Sequence, residues 1–221
     1  MSSRYGAVVF DLDGTLLDTI DDLAHSVNYA LRLHGFPERT TEEVRRFIGN
    51  GASRLIELSI PNGLANPLFE GCLSEFRDHY ADNMHQTRPY PGIMGLLERL
   101  SARGMRLAIV SNKPDAAVKE LSREWFGALI DIAIGESSGI SRKPDPATVY
   151  LALKEMNAEP SRCACVGDSE VDVQTARNAK MAFVGVTWGY RDRETLMRSG
   201  ADILTDTPGE LADVLTANTG G

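Results

Sequence analysis

Ala7-Val8-Val9-Phe10-Asp11-Leu12-Asp13-Gly14-Thr15 runs from an apolar tetrapeptide into two carboxylates and a glycine turn. A short continuous apolar run reads as a strand buried on both faces, the mark of a parallel sheet. Asp11 and Asp13 stand at its exit, and strand alternation would send both side chains to one side. Two anions this close repel, so the pair needs a cation or a shared proton. That requirement points to metal-assisted chemistry on an anionic substrate.

Working outward, similar runs follow at Leu107 to Val110, Asp131 to Ile134, Cys163 to Val166 and Ala182 to Val186, with Ala201 to Leu204 a weaker sixth. Helical patterns separate them at Pro114 to Arg123, Pro146 to Asn157, Glu170 to Lys180 and Thr207 to Thr216. This alternation predicts an α/β fold, a Rossmann-like doubly wound parallel sheet with right-handed crossovers.

From about Leu16 to Tyr90 the alternation stops. Ile20, Leu23, Ala24, Val27 and Leu31 recur at helical spacing, with Thr19 and Asp22 fitting a capping box and Gly35 a stop. Val44, Phe47 and Ile48 begin a second helix, closed by Gly49-Asn50-Gly51, and Phe69, Cys72, Leu73, Phe76 and Tyr80 repeat the spacing. The expected division is an α/β core of residues 1–15 and 91–221 with an inserted helical domain of residues 16–90. The two crossings between them are candidate hinges. The tail from Ala217 to Gly221 is expected to fray.

The 221 residues are 43% hydrophobic and 24% charged, which excludes disorder, collagen and coiled coil. Net charge is −8 with no basic run, so no nucleic-acid partner is expected. Any attraction for an anion must then be local. Cys163 and Cys165 are too close for an easy disulfide and, with Cys72, make an odd count, so buried reduced thiols are expected. Neither an apolar leader nor a membrane-length run is evident, which predicts a cytoplasmic protein without a membrane partner. The chain is expected to act as a monomer or a homodimer.

In an open α/β sheet, ligands bind beyond the carboxyl ends of the strands. Those exits carry Asp11 and Asp13, then Ser111, Asn112 and Lys113, then Gly167, Asp168, Ser169 and, further on, Asp172. Lys143 lies in the loop Ser141-Arg142-Lys143-Pro144-Asp145-Pro146. Asp11, Asp13, Asp168 and Asp172 give −4, Lys143 returns +1 and a divalent metal +2, leaving the site near −1. Mg²⁺ prefers hard oxygen ligands and a substrate phosphate, and Asp11 and Asp168 suit it.

Asp11-Leu12-Asp13-Gly14-Thr15, Ser111, Lys143 and Gly167-Asp168-Ser169-Glu170-Val171-Asp172 resemble, in order and spacing, the four signature motifs of the haloacid dehalogenase superfamily. The resemblance covers essentially the whole chain, and the helical insert is similar to that superfamily's helical cap. It implies Asp11 as a nucleophile forming an aspartyl-phosphate, and Asp13 as the acid and base for leaving alkoxide and water. It implies phosphoryl contacts from Ser111, from backbone N–H groups near Leu12 and Asn112, and from Lys143, which neutralises developing charge. Mg²⁺ would be held by Asp11, Asp168 and the Asp13 carbonyl, with Asp172 acting through water or orienting Lys143. The dehalogenases of the superfamily carry an aromatic where this chain has Asp13, so the resemblance implies phosphoryl transfer.

Phe47-Ile48-Gly49-Asn50-Gly51-Ala52, Ser111-Asn112-Lys113-Pro114 and Gly185-Val186-Thr187-Trp188-Gly189-Tyr190 are similar to bacterial phosphoglycolate phosphatases. This implies a small phosphorylated metabolite, 2-phosphoglycolate, as substrate, with Asn50, Ser53 and Arg54 meeting its carboxylate. The alternatives on the same scaffold are a β-phosphoglucomutase-like sugar phosphomutase and an inorganic pyrophosphatase. Outside catalysis, the alternative is a binding protein with an unused site.

Overall fold

The computed structural model describes residues 4–217. Its elements are β1 (Ala7–Phe10), β2 (Leu17–Asp18), α1 (Ile20–Leu33), α2 (Thr41–Phe47), α3 (Gly51–Ser59), α4 (Phe69–Asp82), β3 (Arg88–Pro89), α5 (Ile93–Ala102), β4 (Arg106–Pro114), α6 (Asp115–Trp125), β5 (Ile132–Glu136), α7 (Ala147–Glu155), β6 (Cys163–Gly167), α8 (Glu170–Asn178), β7 (Ala182–Val186), α9 (Arg193–Arg198), β8 (Leu204–Thr205) and α10 (Pro208–Thr216). Contacts divide the chain into two compact units, residues 1–17 with 89–221, and Asp18–Arg88. The division falls two residues inside each boundary expected from sequence, which had put β2 and β3 in the insert.

The first unit is built on a six-stranded sheet in the order β5-β4-β1-β6-β7-β8. The strand pairs are parallel, with Phe10 opposite Ile109 on one side and Val166 on the other. The chain runs from β1 outward to β4 and β5, then crosses back to β6, β7 and β8. The crevice at the end of β1 is therefore the topological switch point, where ligands bind in open sheets. Ala7, Val9, Ala108, Val110, Cys163 and Cys165 share one apolar cluster with Val149, Ala152 and Leu153 of α7 and Ala176 of α8. By alternation Val8, Phe10, Leu107 and Ile109, all fully buried, face the other layer. There α5 and α6 pack on β4. β8 is shorter than the run Ala201 to Leu204 suggests and starts at Leu204.

The second unit packs α1 against α4 and α2, and α3 against α4. Val27, Leu31, Val44, Leu55, Ile56, Leu73 and Phe76 are buried. Two sequence expectations are corrected here. Thr19 makes no side-chain cap at α1. Asp22, 3% exposed, turns away to accept the Thr87 N–H at 2.7 Å and the Thr87 hydroxyl at 2.8 Å. Four-residue spacing cannot reveal this, because the partners lie 65 residues on. Gly49-Asn50-Gly51 does not simply close a helix; Gly51 opens α3. The capping box of this unit is Thr40 with Glu43, on α2.

The three cysteines are buried and free. Among the described residues, no helix is long and apolar enough to cross a membrane. Of the tail expected to fray, only Ala217 lies within the described residues, and its carbonyl accepts the Arg4 N–H at 3.2 Å.

Candidate active site

β1 delivers Asp11 directly, its N–H continuing the ladder to the Val166 carbonyl at 2.9 Å. The chain then turns tightly through Gly14 at φ +83°, a left-handed conformation that favours glycine. A Cβ at Gly14 would also run into the carboxylate of Asp168. Leu12, between the two carboxylates, is fully buried. Three acidic side chains converge: carboxylate oxygens of Asp11, Asp168 and Asp172 lie within 4.8 Å of one another. Asp13 is outside that set, its Oδ1 paired with Lys113 Nζ at 2.7 Å.

Lys143 Nζ bridges Asp11 Oδ1 and Asp172 Oδ1, each at 2.8 Å. Asp172 Oδ2 meanwhile accepts from the Ser169 hydroxyl at 2.6 Å and its N–H at 3.1 Å, capping α8. One carboxylate thus closes a helix and orients a lysine. Asn112 Nδ2 donates to the Lys143 carbonyl at 2.9 Å, tying the β4 exit to the Lys143 loop. Ser111 is 4% exposed, and its hydroxyl accepts the Lys113 N–H at 3.2 Å. Asp168 accepts from the Tyr190 N–H at 2.7 Å and the Thr15 hydroxyl at 3.2 Å.

Burial pushes the Asp11 carboxyl up to about 7, with Lys143 opposing and Asp172 and Asp13 adding to the rise. Asp168 is held well above the usual carboxylate range by burial, then by Asp172 and Asp11. Burial tends to lower Lys143, but Asp11 and Asp172 outweigh it and keep the ammonium above the usual lysine range. The carboxylates therefore sit in a place short of positive charge. A hard divalent cation fits such an all-oxygen donor set.

Sequence reasoning placed Asp11, Asp13, Ser111, Asn112, Asp168 and Asp172 at or just beyond the strand ends and Lys143 in a loop before a helix, and all lie in the first unit. It gave no role to Lys113, although Lys113 was visible at the β4 exit. With Lys113 the count changes: four carboxylates, two lysines and a divalent metal sum to zero, not −1. Thr15 and the Tyr190 backbone were also missed; the Thr15 signal was its place in the first motif. Asn50, Ser53 and Arg54 belong to the second unit, at the start of α3. Asn50 is its N-cap residue without a side-chain cap bond, and Arg54 pairs with Glu57 at 2.6 Å.

An aspartate cluster at the switch point of a doubly wound sheet puts acidic groups where ligands bind in open sheets, and the relatives of this chain are hydrolases. The family model described as haloacid dehalogenase-like hydrolase matches residues 8–186, and the chain belongs to that family. It is 33% identical over 220 residues to a phosphoglycolate phosphatase of Vibrio parahaemolyticus, covering 96% of each chain. A crystal structure from Lactobacillus delbrueckii subsp. bulgaricus superposes with a TM-score of 0.92 at 35% identity, over 97% of this chain and 99% of that one. Another, of a predicted phosphoglycolate phosphatase from Haemophilus somnus, superposes with a TM-score of 0.86 at 31% identity, over 97% and 98%.

Proposed function

We propose that this hydrolase is a Mg²⁺-dependent phosphatase of small phosphorylated metabolites, acting on 2-phosphoglycolate through an aspartyl-phosphate. The observation that carries the proposal is the Asp11 carboxylate, seated at the switch point with Lys143 at 2.8 Å and Asp168 and Asp172 close by. The name and length match of the Vibrio relative support the substrate. The buried free thiols suit a reducing, cytoplasmic setting.

Asp11 attacks phosphorus, and the ester bond breaks with its electron pair on the leaving oxygen. Asp13 gives that oxygen a proton, releasing the alcohol. Asp13 then takes a proton from water as it attacks the phosphoryl-enzyme, freeing phosphate and the Asp11 carboxylate. Ser111 and the Leu12, Asp13 and Asn112 backbone hold the phosphoryl oxygens. Lys143, oriented by Asp172, balances the charge that develops on them. Asp11, Asp168 and the Asp13 carbonyl would hold Mg²⁺, which supplies positive charge to the phosphoryl oxygens when bound. Asn50, Ser53 and Arg54 are assigned to the substrate's carboxylate.

The test is phosphate release from 2-phosphoglycolate, β-glucose 1-phosphate and pyrophosphate, with Mg²⁺ and with chelator. Mg²⁺-dependent release with preference for 2-phosphoglycolate is expected. Similar slow release from all three removes the substrate assignment. Conversion of glucose 1-phosphate to glucose 6-phosphate moves the protein to the mutases.

A further inference from the structure

Lys113 is a buried cation that the mechanism above leaves without a task. Its side chain is 3% exposed, and its Nζ meets Asp13 Oδ1 at 2.7 Å. Removing an ammonium from water costs several kcal/mol, and pairing often does no more than recover it. A lysine in such a place is a poor device for stability. What it supplies is a fixed charge beside Asp13 Oδ1. The cluster's other lysine is engaged elsewhere, between Asp11 and Asp172.

The backbone is shaped to put Lys113 there. Regular alternation along β4 would bury Ser111 and Lys113 on one face and send Asn112 to the other. All three are buried, and the register with β5 shifts between Val110 and Pro114. Such irregularities re-aim side chains near active sites. Gly135 on β5 makes room for the shifted segment: a Cβ there would lie 2.6 Å from the Lys113 carbonyl oxygen and 2.5 Å from Asp115 Cα. From the other side, the Lys113 N–H donates to Ser111 Oγ at 3.2 Å. The lysine is thus gripped at its backbone, with its ammonium on Asp13 Oδ1.

A carboxylate needs this kind of partner to keep one orientation. The torsion that turns an aspartate's oxygens is broad, so the side chain's own rotamer does not fix them. Proton transfer to a leaving group demands a fixed donor, because misplacement by an ångström costs about 10²-fold. We propose that Lys113 is a positioning residue for Asp13, holding its carboxyl group where it meets the ester's leaving oxygen. This rests on the phosphatase reading. In the step concerned, an Asp11 oxygen lone pair forms the new bond to phosphorus and the ester bond breaks toward the leaving oxygen. Asp13 enters this step as the carboxylic acid, with Oδ1 accepting from Lys113 and the proton on Oδ2. It gives that proton to the leaving oxygen and ends as the carboxylate, and Lys113 stays an ammonium throughout.

The consequence is selective. An alkoxide must be protonated as it leaves; a nitrophenolate leaves unaided. Loss of Lys113 should therefore damage alkyl esters far more than p-nitrophenyl phosphate. kcat/KM is the quantity to compare, because it stops at phosphoryl transfer and excludes the later hydrolysis in which Asp13 serves both substrates.

The experiment measures kcat/KM with Mg²⁺ for p-nitrophenyl phosphate and for the alkyl ester that the wild type hydrolyses fastest. The variants are Lys113→Met, Lys113→Gln, Lys113→Arg, Asp13→Ala and Asp13→Ala with Lys113→Met. General acid catalysis is worth about 10²–10⁴-fold, so Lys113→Met should lose about 100-fold on the alkyl ester and under about 5-fold on the nitrophenyl ester. Lys113→Arg should recover most of the alkyl activity. In the Asp13→Ala background, Lys113→Met should add less than about 2-fold, as coupled residues do. Should Lys113→Met fail to fold, Lys113→Gln gives the same ester ratio, and the double variant strands no buried charge. Equal losses on both esters, or full additivity in the Asp13→Ala background, overturn the proposal while leaving the phosphatase reading intact. A wild type that hydrolyses neither ester removes both.

Discussion

Asp11 shows how much chemistry one position can carry. Its carboxyl is pushed up to about 7, first by burial, and Asp168 is raised well above the usual range as well. A cation can bind these oxygens only by displacing whatever protons they hold. Mg²⁺ affinity should therefore weaken as pH falls through 7, by roughly tenfold per pH unit for each proton displaced. Calorimetric titration at pH 8 and pH 6 checks this; equal affinities would refute it. Asp11→Asn separates chemistry from folding. Turnover should fall at least about 10³-fold, as for other nucleophile deletions. Stability should move the other way. A folded pKa raised from 3.8 to about 7 means that ionising Asp11 opposes folding. That cost is full above 7 and fades as pH falls toward 4. The metal-free variant should thus melt above the metal-free wild type at pH 8, and no higher at pH 4. Asp11, Asp13, Lys143 and Asp168 were legible in the sequence because strand exits and motif spacing mark them. Lys113 was visible but unread, since its orientation depends on a register shift that no local pattern encodes.

β4 carries that lesson at the scale of an element. Its apolar run Leu107 to Val110 announces a strand, yet the strand continues through Ser111, Asn112 and Lys113 to Pro114. Polar residues buried in succession look like a loop to any reading based on hydropathy. The strand persists because β5 comes close enough to hold it, and Gly135 permits that approach. Gly135→Ala would drive a methyl against the Lys113 carbonyl and the backbone of Asp115. It also threatens the Gly135 N–H bond to Asp115 Oδ1, 2.9 Å long. Overpacking of this kind costs about 1–3 kcal/mol. A clear drop in melting temperature is expected, with a larger loss of kcat/KM on alkyl than on nitrophenyl esters. An unchanged melting temperature would show that β5 moves aside freely. α8 is the opposite case. Its Ser169 and Asp172 already stand at capping-box spacing in the sequence, and the structure uses that cap while turning the second Asp172 oxygen to Lys143.

For the whole molecule, the long, mostly helical interval between residues 16 and 90 was the legible feature, because it interrupts a βα alternation that is otherwise regular. Its internal order was harder to see. α3 was missed, since Gly49-Asn50-Gly51 reads equally as the end of one helix or the start of another. The contact holding the interval's two ends together was missed for a different reason. Asp22, at its start, accepts hydrogen bonds from Gln86 and Thr87, at its finish. That closure lies wholly within Asp18–Arg88, so the unit contains the means to keep its own ends together. A fragment of residues 18–88 should therefore fold alone as a helical domain, with a cooperative thermal transition. Stability will be modest, because a chain this short buries only about 60% of its unfolded surface. Asp22→Ala in the fragment strands the buried Thr87 N–H and hydroxyl, at about 1–3 kcal/mol for each buried group left unsatisfied. That is enough to unfold a marginal domain, whereas in the full chain the sheet strands on either side still hold the crossings. Far-UV circular dichroism of the fragment and its Asp22→Ala variant decides the matter. A helical fragment that unfolds on substitution makes Asp22 the clasp of an autonomous insert; an unstructured fragment makes the insert dependent on the core it interrupts.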